Sequence, residues 1–158
     1  MATTRLKTKF QTAEESPGFL MWQITNRWQA AQRAALSPFG LTHVQFVLLA
    51  SLTWLDAEQP VTQRDLADHA ATDPMMTSQV LRALERRGLL ERMPHPRDRR
   101  ARTLAATPTG IKLANRAIVA VETCDRTFFK PLAKDGPAFL RMLRALSPQG
   151  SRGRTPQA

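Results

Sequence analysis

Apolar side chains recur at helical spacing along most of this chain, and short polar segments separate the helices that they predict. Pro17 opens the first helix, which continues to about Leu36 before the sequence SPFG ends it. Thr42 and Gln45 form a capping-box pattern at the start of a second helix that is apolar on most of its circumference. The second helix is therefore predicted to be the most buried element of the fold.

A short helix and a longer amphipathic helix follow in close succession. Thr62 begins the short one, which ends near Ala71. Asp73 is then an N-cap residue directly before a proline at the first helical position, where the missing N–H costs nothing. The helix that starts there continues to Arg87 and is stopped by Gly88. This order of elements predicts a helix-turn-helix unit.

Two strand-like segments come next and enclose a tip that is rich in arginine. The predicted strands are 89–93 and 102–106, and the tip between them reads PHPRDRRA. Thr107 and the proline after it repeat the cap-then-proline pattern and open a long helix over about 111–132. The sequence KDGP ends this helix, and a final amphipathic helix follows. The fold class predicted is mainly α with a small β-hairpin wing.

The chain is strongly basic, and much of the excess charge lies around this hairpin. It contains 23 Lys and Arg against 13 Asp and Glu, which gives a net charge of +10. Residues 82–102 alone contain eight arginines and three acidic residues. Such a patch favours a polyanionic partner, either nucleic acid or an anionic membrane surface. An amphipathic helix followed by a basic hairpin favours duplex DNA, because the two elements suit adjacent grooves.

The fourth helix divides into two faces when its residues are placed 100° apart. The inner face carries Met76, Val80, Ala83 and Leu84. The outer face carries Ser78, Arg82, Glu85 and Arg86, with Met75 and Gln79 at its edge. Hydroxyl, amide and guanidinium groups hydrogen-bond to base edges and phosphates. The candidates for the major groove are therefore Thr77, Ser78, Gln79 and Arg82. The candidates for phosphate are Gln63, Arg64 and Arg86.

Several short motifs resemble those of the MarR family of bacterial transcription regulators. They are Leu41-Thr42, LERRGLLER over 84–92, RDRRA over 97–101 and TPTG over 107–110. The resemblance follows the order of elements over roughly residues 18–146. It implies a homodimeric winged helix-turn-helix protein that binds a pseudo-palindromic operator. Such proteins are usually repressors that a small aromatic or phenolic ligand relieves, or sometimes cysteine oxidation or a metal.

The resemblance also implies how the chain is organised. Residues 1–16 would form a polar arm, 17–41 a first dimerisation helix and 42–106 the DNA-binding lobe. Residues 107–146 would form the C-terminal dimerisation helices. The tail over 147–158 is rich in Gly, Pro and Ser and is predicted to be disordered.

The arginines of the wing tip are predicted to reach the minor groove. Arg97, Arg99 and Arg100 carry weakly hydrated guanidinium groups, which suit the focused negative potential of a narrow groove. By the family pattern, Asp98 orients Arg100 through a carboxylate–guanidinium pair. His95 stands where many members have an acidic residue, so this wing should be more cationic than usual.

A small-molecule site is predicted in a cleft between the dimerisation helices and the DNA-binding lobe. Aromatic rings there would stack on an aromatic ligand, and a cation would pair with its carboxylate. The candidates are Trp22, Trp28, His43, Phe46 and Trp54, with Arg27 as the cation. Ordinary core or dimer packing is the alternative for each of these aromatic residues.

Other kinds of chemistry find little support in the sequence. It contains no Gly-rich phosphate loop, no G-x-S-x-G and no H-E-x-x-H, so neither an enzymatic activity nor a cofactor is predicted. His43, His69 and His95 lack paired metal-ligand spacing, so no metal is predicted. The single Cys124 is predicted to be buried and structural, because acidic residues beside it oppose a reactive thiolate.

The same sequence predicts a cytoplasmic protein that does not span a membrane. It has one cysteine, no long apolar run and a polar N-terminus. Two other functions stay open at this point. A winged helix could bind an acidic protein through its basic face, or it could bind DNA without sequence preference as an architectural protein.

Overall fold

A computed structural model describes residues 6–56 and 59–147 of the chain. Its α-helices over these residues are α1 Pro17–Leu36, α2 His43–Leu55, α3 Gln63–Ala70, α4 Pro74–Arg86, α5 Pro108–Phe129 and α6 Gly136–Leu146. Its strands are β1 Leu90–Pro94 and β2 Arg102–Ala106. Short 3₁₀ turns occupy Ala13–Glu15, Ser37–Phe39 and Lys130–Asp135. The mainly helical fold with a hairpin wing is confirmed.

Side-chain caps fix the starts of the central helices, as the sequence predicts. The Thr42 hydroxyl accepts from the Gln45 N–H at 3.2 Å, and the Gln45 side chain accepts from the Thr42 N–H at 3.1 Å. Thr62 and Asp65 form the same reciprocal pair at the start of α3. Asp73 Oδ1 accepts from the first free N–H groups of α4. Each cap satisfies donors that the helix itself leaves unpaired.

Helix α2 lies at the centre of the core, which confirms its prediction as the most buried element. Four of its side chains are buried: Phe46, Leu48, Leu49 and Leu52. Helices α1, α3, α4 and α5 all pack against it, together with β2. The helix-turn-helix, the base of the wing and the long C-terminal helix therefore share one hydrophobic core.

The wing is a two-stranded antiparallel hairpin whose register runs from Leu90 opposite Ala106 to Pro94 opposite Arg102. The first strand begins one residue later than predicted. The N–H of Leu104 also donates to the Val61 carbonyl at 2.8 Å, which adds a short strand-like contact just before α3. The hairpin is thus joined to the helix-turn-helix on its inner side.

The structure differs from the sequence prediction in the N-terminal arm and at the end of α5. Residues 13–15 of the predicted arm form a 3₁₀ turn, and Ser16 caps α1 through the Phe19 N–H at 3.3 Å. Helix α5 begins at Pro108, directly after the predicted cap Thr107, and ends at Phe129, three residues earlier than predicted, because Lys130–Asp135 continues as a 3₁₀ turn. Nearly all of the predicted disordered tail lies outside the described residues.

No single helix among the described residues is long and apolar enough to cross a membrane. Within the same described ranges, one pair of segments, Pro17–Phe39 and His43–Leu55, reaches that length and composition together but is bent by 74° at the junction.

Candidate nucleic-acid interface

The turn between α3 and α4 is held by a pair of threonine hydroxyls. Ala71 ends α3 in the left-handed conformation, with φ 51°. The hydroxyls of Thr72 and Thr77 lie 2.7 Å apart, and Thr77 also donates to the Asp73 carbonyl at 2.7 Å. This network fixes the start of α4 relative to α3, which is the geometric requirement of a helix-turn-helix.

The exposed face of α4 is rotated by about one residue from the predicted one. Thr77, Leu81 and Leu84 are buried, whereas Met76 is 39% exposed. Thr77, a candidate for the major groove, is therefore unavailable to DNA, because its side chain is buried and its hydroxyl is satisfied inside the turn. The side chains that do face outward on α4 are Met75, Met76, Gln79, Arg82 and Arg86.

Ser78 and Arg82 form a local unit on that face. The Arg82 guanidinium donates to the Ser78 carbonyl and to the Ser78 hydroxyl, each at 3.3 Å. Ser78 is half-buried, while Arg82 is exposed. These bonds are long and exposed, so a base edge or phosphate can replace them at small cost.

The wing tip is shaped by side chains that bind its own backbone. His95 Nδ1 accepts from the N–H groups of Arg97 and Asp98, each at 3.1 Å. Asp98 Oδ1 accepts from the backbone N–H of Arg100 at 2.9 Å. The predicted carboxylate–guanidinium pair between Asp98 and Arg100 is thus absent from the described residues, because the closer backbone N–H takes the carboxylate.

Two of the eight arginines in this region serve the fold. Arg87 donates to the Gly40 carbonyl at 2.9 Å. Arg92 pairs with Glu85 at 3.2 Å and donates to Gln63 Oε1 at 3.3 Å, which ties β1 to α4 and α3. The sequence alone does not separate these structural arginines from the others.

Apart from Arg82, the remaining wing and helix arginines are free to bind an anion. Five of them have exposed side chains that form no hydrogen bond or ion pair within the described part of the chain: Arg86, Arg97, Arg99, Arg100 and Arg102. Arg64 approaches only Asp68, at 3.9 Å between two exposed groups. Gln63 Oε1 accepts from Arg92, so the amide N–H groups of Gln63 are able to donate to another acceptor.

The base of the wing is fastened to α5 and α2. The Thr107 hydroxyl donates to the Gly88 carbonyl at 2.6 Å and accepts from the Gly110 N–H at 3.1 Å. Asp56 at the end of α2 accepts from the Ala106 N–H at 2.8 Å. The wing therefore carries its arginine tip on a base that α5 and α2 hold in place.

The residues predicted to line an effector cleft are not brought together. Phe46 belongs to the core and is buried, while Trp22 and Trp54 are 67% and 74% exposed. Arg27 is exposed on α1. Only His43 lies against another candidate, with its ring 5.0 Å from that of Trp28 in an edge-to-face arrangement.

A polar cluster around that ring pair was not predicted. Asp125 Oδ1 accepts from the Trp28 indole N–H at 2.8 Å and from the Gln32 amide at 2.6 Å. Gln32 is fully buried, and its Oε1 has no partner among the described residues. Burial lowers the pKa of His43, Arg33 lowers it further, and Asp125 opposes the shift. The cluster joins α1, α2 and α5 around a buried acceptor that lacks a donor.

A separate apolar cleft of about 540 Å³ lies between α1 and α5. Its walls include Ala31 and Ala35 of α1, Val119 and Phe128 of α5, and the half-buried Cys124. The prediction that Cys124 is buried is therefore wrong, because its side chain is only half-buried beside this cleft. The sequence offers no signal for this cleft, since its lining residues are those of ordinary helix packing.

We expect the Cys124 thiol to react slowly at neutral pH. Burial raises its pKa, and the Asp125 carboxylate raises it further, so the thiolate is scarce near pH 7. The rate of modification by a chromogenic disulfide should keep rising with pH up to and beyond 9. A fast reaction whose rate has already stopped rising with pH below pH 7 would contradict this expectation. It would indicate a redox role for Cys124.

Comparison with known proteins places this geometry in a family. The MarR family model matches residues 41–101, which span α2 to the wing tip. The HTH-type transcriptional regulator YdcH of Bacillus subtilis is 43% identical over 128 residues, which cover 80% of this chain and 87% of YdcH. These proteins are transcription regulators, not enzymes.

Solved structures agree over most of the chain. The repressor CouR of Rhodococcus jostii, bound to a 23-mer DNA duplex, is 28% identical and superposes with a TM-score of 0.77, covering 89% of this chain and 99% of CouR. BpsR of Bordetella bronchiseptica, whose DNA binding is regulated by 6-hydroxynicotinic acid, is 26% identical with a TM-score of 0.78, covering 85% of this chain and 95% of BpsR.

Proposed function

Because this chain belongs to the MarR family of DNA-binding transcription regulators, we propose that it is a homodimeric, sequence-specific repressor whose release from DNA is controlled by a small aromatic ligand. The observation that carries the DNA assignment is the set of exposed, unpaired arginines on the wing and on α4. The α4 helix would enter the major groove, and the wing tip would enter the adjacent minor groove.

Each group then has a defined role. Gln79 and Arg82 would bind base edges, with Ser78 behind Arg82. Arg86, Arg64 and the Gln63 amide would bind phosphate. The tip arginines Arg97, Arg99 and Arg100 would occupy the minor groove, with Asp98 holding the backbone of the tip rather than a guanidinium.

Unpartnered apolar faces support the dimer. Helix α6 has no buried residue, although it carries large apolar side chains. Those exposed on α6 are Leu140, Met142, Leu143 and Leu146, and those on α1 are Phe19, Met21, Trp22 and Ile24. A second copy of the chain would bury both faces. Two lobes held in this way would read half-sites about one helical turn apart.

The polar cluster at Trp28 supports control by an aromatic ligand. An aromatic ring with a hydroxyl or amide donor would stack near Trp28 and His43 and give the buried Gln32 Oε1 the hydrogen bond it lacks. The cluster lies between α1, α2 and α5, so a ligand there would alter how the lobe sits on the dimerisation helices. Release requires that the ligand prefer the conformation that does not fit the operator. We place this regulation in the cytoplasm, where the operator is.

The test is binding of the full chain to duplex DNA from its own promoter region. Fluorescence anisotropy should give an affinity roughly a thousandfold or more above that for a scrambled duplex. The affinity should fall steeply with salt, since phosphate neutralisation releases counterions. One dimer should bind per operator. Equal affinity for both duplexes across all promoter fragments would instead indicate an architectural protein, and no binding at low salt would indicate a protein partner.

A further inference from the structure

Two adjacent methionines are exposed at the head of α4, in the turn that begins the recognition helix. Met75 is 71% exposed and Met76 is 39% exposed. Side chains of a helix lean towards its N-terminus, so both extend beyond the first turn. The exposed parts of these flexible thioether side chains gain little for the fold and can adapt to the shape of a partner. Their placement therefore calls for a partner.

The backbone at this point is already occupied. Asp73 Oδ1 accepts from the N–H groups of Met75 and Met76 at 2.9 and 3.0 Å. The start of α4 therefore has an internal carboxylate where other helices bind an external phosphate. What the head of the helix presents outward is the apolar surface of two side chains.

The surrounding surface identifies the partner as DNA rather than an apolar protein face. Gln79 lies one helical turn after Met75, and the exposed Arg82 and Arg86 follow on the same helix. In the major groove, the apolar group that an adjacent apolar side chain can contact is the C5-methyl of thymine. An amide such as that of Gln79 pairs with adenine through N6 and N7.

We propose that Met75 and Met76 contact thymine methyl groups in each operator half-site, so that this regulator selects A·T pairs opposite the head of α4. Gln79 would bind adenine in the same A·T-rich step. The proposal rests on the proposed function and adds to it the base that this part of the helix recognises. It also explains why an apolar pair occupies a position on an otherwise basic surface.

The experiment replaces each thymine of the operator in turn with uracil, which removes only the C5-methyl group. Binding of the full chain should weaken about fourfold for each methyl group that a methionine covers, as expected for one buried methyl. Substitution at the other thymines should have no effect. The variants Met75→Ala and Met76→Ala should bind the natural operator more weakly and lose the difference between thymine and uracil at one position each.

Conservative variants provide the matched control. Met75→Leu and Met76→Leu keep an apolar side chain of similar size, so they should retain sensitivity to uracil, whereas Met75→Gln should lose it. Thermal unfolding should be unchanged in the Met75 variants, whose side chain is 71% exposed, and slightly lowered in Met76→Ala, whose side chain is only 39% exposed. Equal affinity for thymine and uracil at every position, or an operator without thymine there, would overturn the proposal. Failure to distinguish operator from scrambled DNA would instead overturn the proposed function.

Discussion

Replacing Gly110 with alanine should destabilise the protein by about 3 kcal/mol, because the new methyl group would collide with the backbone of Leu89, directly before the first strand of the wing. A Cβ at this position would lie 1.9 Å from the Leu89 carbonyl oxygen and 2.9 Å from its carbon. Backbone cannot rotate away as a side chain can, so α5 and β1 must separate. The separation would also break the bonds of Thr107 to Gly88 and Leu89.

Thermal unfolding with a matched variant measures this effect. We expect Gly110→Ala to lower the midpoint by roughly 10 °C, from the usual relation between stability and midpoint for a domain of this size. Gly18→Ala is the control, since a Cβ there meets nothing within 4 Å in the first turn of α1. It should unfold at the wild-type temperature or slightly above. A Gly110→Ala midpoint equal to that of Gly18→Ala would show that α5 and the wing are not in the described contact.

The parts of this fold that could be predicted from sequence are those that depend on local chemistry. The starts of α2, α4 and α5 follow from Thr42, Asp73 and Thr107, because each cap is a contact between residues two or three positions apart. The apolar circumference of α2 likewise predicts its central position. Such signals need no knowledge of the rest of the chain.

The parts that could not be predicted depend on contacts made by folding. The hydroxyl of Thr77, a candidate for the major groove, is instead bonded inside the turn by partners that only the folded chain supplies. Asp98 binds a backbone N–H in place of a guanidinium because the tip folds back on itself. Asp125 meets Gln32 across 93 positions of sequence, so helical spacing gives no hint of that cluster. The sequence predictions therefore fail at candidate binding residues whose polar atoms already have partners inside the folded chain.

Replacing Arg100 with alanine should weaken operator binding about 10- to 100-fold, which corresponds to about 1–3 kcal/mol for one specific arginine contact. The side chain is exposed and makes no hydrogen bond within the described residues, so the substitution removes a contact with DNA and little else. Because Asp98 holds the tip through the Arg100 backbone N–H, which alanine keeps, the shape of the wing should survive. Anisotropy titrations over a salt series measure both the affinity and the slope.

Two further variants distinguish the contribution of the guanidinium group at position 100 from that of its positive charge alone. Arg126→Ala removes the same charge about 27 Å along α5 from Pro108 and should leave operator affinity nearly unchanged. Arg100→Lys keeps the charge but is more strongly hydrated, so it should restore the salt slope and only part of the affinity in a narrow minor groove. If Arg100→Ala and Arg126→Ala weakened binding equally, the wing would contribute only net charge. The basic hairpin would then attract DNA without entering its groove, and recognition would rest on α4 alone.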